Sequence, residues 1–257
     1  MMKALVLTSG GARGFAQVGG LKVLERIGFS PDIIVGSSMG GAISALYASG
    51  KTAEELETLS KEFSFVNVLD MQVFGNGFVK GSRIREYFKE QIGDKRFDEL
   101  ETTLVLNAVD INNGEEVVFE TGRVLDGVRS TVSIPGLIKP AEIDGRHLVD
   151  PGFTVPVPIG NVPEGCDVVV FDTVQTVTDL GDNLRTHDIL LQVLRIGAER
   201  SANRDISDYR KNNGGDVIHV DFDIDDRYML DFRDIPSLIQ KGEESVKERK
   251  ADIKKIV

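Results

Sequence analysis

Ser38 stands in Gly36-Ser37-Ser38-Met39-Gly40, with the apolar run Ile33-Ile34-Val35 before it and residues that read as a helix after it. That spacing is the G-x-S-x-G of a nucleophile elbow, a sharp strand-to-helix turn that leaves the serine hydroxyl exposed. Gly36 and Gly40 suit such a turn, because a residue without Cβ adopts backbone angles closed to others and lets a neighbouring chain come close. Ser38 is therefore the candidate nucleophile. It also needs a base to take its proton and donors to hold the oxyanion of the transition state. A second glycine loop, Ser9-Gly10-Gly11-Ala12-Arg13-Gly14, follows the first apolar run and opens a helix. The amides of Gly10, Gly11, Ala12 and Arg13 are candidate oxyanion donors, aided by the positive end of the helix dipole. Such a loop binds phosphate in dinucleotide folds, but there an acidic residue closes the second strand. Here Asp32 opens that strand, and no Walker-type lysine follows the glycines.

Three histidines compete for the role of base. His219 lies in an alternating stretch on the face shared with Asp221 and Asp223, which reads as solvent-facing. His187 falls in the first turn of a helix. His147 precedes Asp150 by an odd number of residues, which along a strand sends the two side chains to opposite faces. The remaining candidate is Asp150 itself, in Leu148-Val149-Asp150-Pro151-Gly152 at a strand end. A turn-capping aspartate would look the same. With an ordinary pKa of about 3.9, an aspartate serves only where water is excluded, that value is raised and the serine lies within hydrogen-bond reach. From these residues alone, a histidine and Asp150 both stay open. Asp221, Asp223, Asp225 and Asp226 are spaced like a calcium loop, but Phe222 and Ile224 interleave them at strand spacing. The sixth position lacks glycine and the twelfth is Phe232, so no metal site is expected.

The elements that must position these groups begin with strand, helix, strand, helix up to Gly50, the signature of a parallel sheet with helices on it. Phe15, Val18, Leu21, Leu24 and Ile27 form the first helical face, closing near Gly28. Thr52 and Glu55 make a capping box for the third helix. Ser82 is expected to cap a helix with Ile84, Tyr87, Phe88 and Ile92 on one side. Residues 103–109 and 116–119 read as strands joined across Asn112-Asn113-Gly114, followed by a helix that ends before Pro135. Residues 147–149 and 167–173 are further strands, with a helix from Thr186 to about Ser201. In residues 216–224, Ile218, Val220, Phe222 and Ile224 face inward. Ser237 to Val257 reads as a packed surface helix with Ile239, Val246 and Ile253 on one side. Residues 64–80 are apolar without a clear period, a loop that lines a pocket or packs on the core. The expected fold is α/β, a three-layer αβα sandwich with a mainly parallel central sheet. One domain is expected over residues 1–257, with the motifs in about 4–175 and residues 176–257 completing it.

The net charge of −11 over 257 residues argues against nucleic acid, whose phosphates need a basic face. It also disfavours wholesale adsorption to anionic lipid while leaving local docking through an apolar rim. The single cysteine, Cys166, excludes an internal disulfide and fits a reducing compartment. No signal peptide and no apolar run of the ~20 residues that span a bilayer are visible, so the expected location is cytoplasmic, with peripheral contact to a membrane left open.

Taken in this order, the pieces resemble the patatin-like phospholipase family. Its marks are a glycine-rich oxyanion loop near the N-terminus, a G-x-S-x-G elbow on the next strand and an Asp-Gly-Gly or Asp-Gly-Ala loop carrying the base. Gly81-Ser82-Arg83, Asn107-Ala108-Val109-Asp110, the stretch from Ser130 to Gly136 and Gly145-Arg146-His147-Leu148-Val149-Asp150 also fit. The resemblance runs from Leu5 to about Thr173 and is strongest to small bacterial or archaeal members with little beyond the catalytic domain. It implies a Ser–Asp dyad without histidine: Ser38 as nucleophile, Asp150 as base and the amides of residues 10–13 as oxyanion hole. The implied reaction is hydrolysis of a phospholipid, lysophospholipid or simpler ester through an acyl-enzyme, with no metal or cofactor. Three departures accompany it: Ser9 where the family has glycine, Pro151 after the aspartate, and Val155 where an asparagine is frequent. A second reading is an α/β-hydrolase triad using His219 or His187, although that fold places its serine further along the chain. A third is a binding or regulatory protein in which Pro151 and Val155 have weakened catalysis.

Overall fold

In the computed structural model, residues 1–64, 79–174, 179–181, 185–224 and 228–257 are described. Most of the apolar loop expected over 64–80 lies outside them. The strands are β1 (Lys3–Leu7), β2 (Ile33–Gly36), β3 (Thr103–Asp110), β4 (Glu116–Phe119), β5 (Ala141–Ile143), β6 (Arg146–Val149), β7 (Asp167–Asp172) and β8 (Val217–Asp221). They form one sheet in the order β5-β6-β3-β2-β1-β7-β8, with β4 also paired to β3. The stretch β3-β2-β1-β7-β8 is parallel throughout. The antiparallel members sit at one side: β4 and β6 on β3, and β5 on β6.

The helices are α1 (Ala16–Ile27), α2 (Met39–Ala48), α3 (Ala53–Glu62), α4 (Ser82–Ile92), α5 (Val124–Thr131), α6 (Thr186–Asn212), α7 (Ile235–Glu248) and α8 (Lys250–Ile253). Central parallel strands lack a wet face, which is why β1, β2 and β7 read as unbroken apolar runs. Leu5, Leu7, Ile34 and Phe171 share one core with apolar residues of α1, α2 and α7. Ala4, Val6, Val35 and Val170 share another with Ala202 and Ile206 of α6. A central sheet is thus flanked by helices, the layering expected from the sequence.

Three boundaries differ. α4 starts at Ser82, but its N-cap is Gly81 in the left-handed region (φ 76°), so Ser82 is the first helical residue rather than the cap. α6 continues to Asn212 because Ala202, Ile206 and Tyr209 extend an inward face that no breaker interrupts. The C-terminal helix breaks at Arg249 (φ −94°, ψ 2°), yet Ile239, Val246 and Ile253 are all buried. Among the described residues, no helix is long and apolar enough to cross a membrane.

α1, α3 and α7 are tied by a charge cluster around Glu243. Its carboxylate meets Lys22 Nζ at 2.7 Å, Arg26 Nη1 at 2.9 Å and Lys247 Nζ at 3.0 Å, while Lys22 also reaches Glu57. Burial works against the charged form of Glu243, but the hydrogen bonds from Lys22, Arg26 and Lys247 outweigh it and lower its pKa to about 2. A depressed carboxyl contributes stability above its unfolded pKa, which is lost as pH falls from about 4.5 toward 2. Glu243→Gln is expected to cost on the order of 1–2 kcal/mol at neutral pH. Acid unfolding curves of the two proteins should converge over that window.

Candidate active site

β2 ends at Gly36, level with Leu7 of β1 and Leu106 of β3, and the chain then turns sharply into α2. Ser38 sits on the turn with φ 54° and ψ −123°, a conformation that L-residues with a Cβ rarely adopt. Two contacts hold it there. The Ser38 N–H donates to Thr131 Oγ1 at the end of α5 (2.7 Å). Gly40 lets α2 lie directly on the end of β1: a Cβ there would stand 2.3 Å from the Leu7 carbonyl oxygen.

The topology of the antiparallel corner brings in Asp150. Val149 of β6 pairs with Val109 of β3, so the chain leaving β6 runs back toward Leu106 and hence toward the elbow. Ser38 Oγ donates to Asp150 Oδ2 at 2.5 Å, and the Gly152 N–H donates to Oδ1 at 2.8 Å. The Asp150 side chain is buried. Burial raises its pKa to about 6, against the lowering effect of the hydrogen bonds from Ser38 and Gly152. The carboxylate is therefore mostly ionised at neutral pH yet more basic than an ordinary aspartate.

Pro151 does not pull the carboxylate away from the serine. Its carbonyl accepts the N–H groups of Thr154 (2.9 Å) and Val155 (2.8 Å), closing a turn in which the proline's missing donor is not needed. At Val155 the carbonyl takes part, accepting from Asn107 Nδ2 at 3.3 Å.

The glycine loop leaves β1 at the point where the sheet's connections diverge, toward β2 on one side and β7 on the other. Ligands of open α/β sheets bind at such switch points, beyond the carboxyl ends of the strands. The Thr173 N–H donates to Thr8 Oγ1 (2.9 Å), and Gln17 Nε2 donates to the Thr8 carbonyl (2.8 Å) and to Thr173 Oγ1 (2.7 Å). These bonds fix the loop's base. Gly11 then takes φ 56° and starts a 3-10 turn.

The turn changes the expected donor set. The Ala12 N–H is given to the Met229 carbonyl at 2.8 Å, and the Arg13 N–H to the Gly10 carbonyl at 3.2 Å. Neither amide is available to an oxyanion, which corrects two of the four expected donors. Gly10 and Gly11 border the cavity that contains Ser38, and neither amide has a partner among the described residues. Arg13 is instead buried, its guanidinium reaching the carbonyls of Thr173 and Ile224. A Cβ on Gly11 would meet the Met229 carbonyl oxygen at 2.3 Å, in a backbone region unfavourable to alanine. Gly11→Ala is therefore expected to displace the loop and its Gly10 and Gly11 amides, and to slow phosphonylation of Ser38 by a fluorophosphonate about a hundredfold, the scale of losing one oxyanion donor. Peptide mass spectrometry of the labelled variant would measure it.

The histidines are placed elsewhere. His219 is half-buried, not solvent-facing as expected, because its Nε2 lies 2.9 Å from Asp172 Oδ2 on the adjacent strand. His147 Nδ1 pairs with Asn112 at 3.3 Å. The backbone of His187 falls in the first turn of α6, as expected, and its side chain lies outside the described residues. Asp225 and Asp226 lie outside them too.

A small cavity of about 40 Å³, open to solvent at its mouth, adjoins Ser38 and Asp150. Ile134, Phe153, Val174, Ala198 and Met229 give it apolar walls, and the Arg195 side chain stands among them. Arg195 and Met229 carry no signal in the sequence, and Thr131 enters only within the family-like stretch from Ser130 to Gly136. Each is an ordinary residue for its position, and only tertiary structure brings it to the elbow.

A profile of the family described as patatin-like phospholipase matches residues 5–162 of this chain. An uncharacterized NTE family protein of Mycobacterium tuberculosis is 31% identical over 162 residues, which are 62% of this chain and 45% of that protein. Lysophospholipase nte1 of Aspergillus oryzae is 29% identical over 182 residues, 68% of this chain and 12% of that one. The matches thus span about half, or much less, of these relatives' length. Among solved structures, VipD from Legionella pneumophila superposes with a TM-score of 0.61 at 11% identity, covering 98% of this chain and 67% of VipD. ExoU, in its complex with SpcU from Pseudomonas aeruginosa, gives a TM-score of 0.52 at 17% identity, with 98% and 51% covered. At such identities these neighbours speak to the fold alone.

Proposed function

Because this chain belongs to the patatin-like phospholipase family, we propose that it hydrolyses lipid acyl esters through a dyad of Ser38 and Asp150. The observation that carries this reading is the 2.5 Å hydrogen bond from Ser38 Oγ to a buried carboxylate whose pKa is raised to about 6. The lysophospholipase among the relatives supports a lipid substrate.

In the proposed reaction, Ser38 Oγ attacks the ester carbonyl carbon as its proton passes to Asp150 Oδ2. The carbonyl oxygen becomes an oxyanion held by the Gly10 and Gly11 amides. Collapse breaks the bond to the leaving oxygen, which takes the proton from Asp150 and departs as the alcohol, here a lysolipid or glycerol head. Water then gives a proton to Asp150 and attacks the acyl-serine. Breakdown of the second oxyanion releases the fatty acid and returns the proton to Ser38 Oγ. One carboxyl thus serves as base and then acid in each half-reaction, which suits a pKa near the working pH. The Gly152 amide fixes one carboxylate oxygen so that the other points at the serine. The apolar walls suit the acyl side of such an ester. In this reading the whole chain forms one catalytic unit.

The test is fatty-acid release from lysophosphatidylcholine, from phosphatidylcholine and from p-nitrophenyl esters of graded chain length. Turnover of an acyl ester is expected. No turnover of any of them would overturn the proposal.

A further inference from the structure

A cleft of about 670 Å³ that shares no residue with the Ser38 cavity opens where α4 and α5 meet the antiparallel corner of the sheet. Lys80, Arg85, Arg129 and Lys139 line it together, in a chain whose formal charge is −11. Glu142 is the one acidic residue in the described lining, with its side chain 80% exposed and 3.9 Å from His147 Nε2. Asp126 beside the cleft accepts from Arg85 Nη1 at 2.6 Å. The two lysines are set in place by the backbone. Val79 and Ile138 form a parallel bridge, in which the Val79 N–H donates to the Leu137 carbonyl (3.0 Å) and the Lys139 N–H to the Val79 carbonyl (2.9 Å). Lys80 and Lys139 directly follow the bridged residues and so leave them side by side. The buried Arg129 guanidinium clamps this pair from below. Its Nη2 donates to the carbonyls of Lys80 (2.9 Å) and Lys139 (2.8 Å), and its Nη1 to Ser133 Oγ (2.5 Å). A Cβ on Gly81 would stand 2.7 Å from the Arg129 Cζ, so the chain crosses the guanidinium as glycine. Both lysines are exposed, and neither has a hydrogen-bond or ion-pair partner among the described residues. Ammonium groups held side by side repel, and an anion between them removes that cost.

We infer that this cleft binds the phosphate group of a small soluble compound, bridged by the ammonium groups of Lys80 and Lys139 with the Arg85 guanidinium at its flank. Phosphate suits the site better than a carboxylate, because its outer oxygens and its charge near −2 accept from several cations at once. The volume matches that of sites that hold a whole small molecule. The net charge favours a free anion over a lipid headgroup. An anionic membrane meets the field of the entire protein, whereas a small anion within the Debye length of ~8 Å meets mainly the cations beside it. The inference goes beyond the ester-hydrolase reading and stands whether or not Ser38 turns over an ester.

The experiment is titration calorimetry of the full chain carrying Ser38→Ala, which leaves lipid intact, with pyrophosphate and with glycerol phosphate. Flotation of the same protein with phosphatidic acid vesicles runs beside it. Saturable binding of the soluble phosphates is expected, weakening as salt is raised. Adding Lys80→Gln with Lys139→Gln should weaken it at least about tenfold, because two charge-assisted contacts are lost. Lys80→Arg with Lys139→Arg keeps both charges and should bind within about threefold of the parent. Both lysines are exposed, so neither pair should disturb the fold, which circular dichroism checks. Arg129 is left intact because its segment reaches the dyad: the Ser133 carbonyl accepts the Asp150 N–H at 3.0 Å, and Thr131 Oγ1 accepts the Ser38 N–H. A parent protein that binds neither soluble phosphate would overturn the proposal, as would binding that the glutamine pair leaves unchanged. Binding to the vesicles alone, lost in the glutamine pair, would also overturn it, since the phosphate would then belong to a lipid.

Discussion

Ser38→Ala is expected to leave a folded protein whose ester turnover falls on the order of 10⁴-fold or more. The loss is large because the hydroxyl is both the attacking atom and the proton donor to Asp150. What remains in the variant is the cavity, the two glycine amides and a base without its nucleophile. That machinery binds ester and polarises it slightly but forms no acyl-enzyme. The fold should persist because the elbow's supports are unchanged: Thr131 still accepts the residue 38 amide, and α2 still rests on β1 through Gly40. Removing the hydroxyl also removes a hydrogen bond that lowers the Asp150 pKa, so the carboxyl should titrate higher in the variant than in the parent. Initial rates on a soluble ester, with far-ultraviolet circular dichroism as a folding control, check both halves. Retained activity in a folded variant would contradict the assignment.

Asp150→Asn should cost a comparable factor, about 10⁴, through the loss of a single function. Asparagine matches aspartate in shape. Its Oδ1 continues to accept the Gly152 N–H while its Nδ2 points at Ser38, but it takes no proton at neutral pH. Stability should move the other way. The folded-state pKa of Asp150 is raised from 3.8 to about 6 by burial, so the native state favours the protonated form. Its stability therefore declines as pH rises from about 4 through about 6, where the carboxyl must ionise in place. Above that window the shift amounts to about 3 kcal/mol against the native state, which the neutral asparagine does not incur. Asp150→Asn is thus expected to melt several degrees higher than the parent at pH 8, with the difference shrinking toward pH 4. Calorimetry at the two pH values measures it, and an unchanged or lower melting temperature at pH 8 would contradict the buried, ionised carboxylate. In the parent, kcat/KM should rise with pH through about 6, because only the ionised form accepts the serine proton.

The parts of the site that were legible in the sequence are those whose geometry is local. Gly36, Ser38 and Gly40 lie within a single turn, and what a glycine permits there does not depend on distant contacts. The first four alternating elements were legible for the same reason, since unbroken apolar runs between glycine turns leave little choice but a covered parallel sheet. Asp150 was harder to reach, because it meets Ser38 across 112 residues of chain and only through the antiparallel return of β6. Its loop composition and the family resemblance pointed to it, while periodicity could not. The oxyanion loop was half legible. Treating its amides as a row aimed one way overlooked the positive φ of Gly11, which turns the Arg13 amide back onto Gly10 and leaves Ala12 to Met229. Thr131, whose hydroxyl accepts the elbow amide across 93 residues, lies in the family-like stretch from Ser130 to Gly136, but nothing local there points to the elbow.

The central claim is that Asp150, with no histidine, activates Ser38. The measurement that bears on it most directly is the rate at which a fluorophosphonate labels Ser38, followed by peptide mass spectrometry from pH 4 to pH 8. It is made on a variant with His147, His187 and His219 all replaced by glutamine. Labelling of Ser38 is expected at close to the parental rate, rising through about pH 6 as Asp150 ionises. A folded triple variant that is not labelled at Ser38, or whose labelling no longer follows that rise, would contradict it.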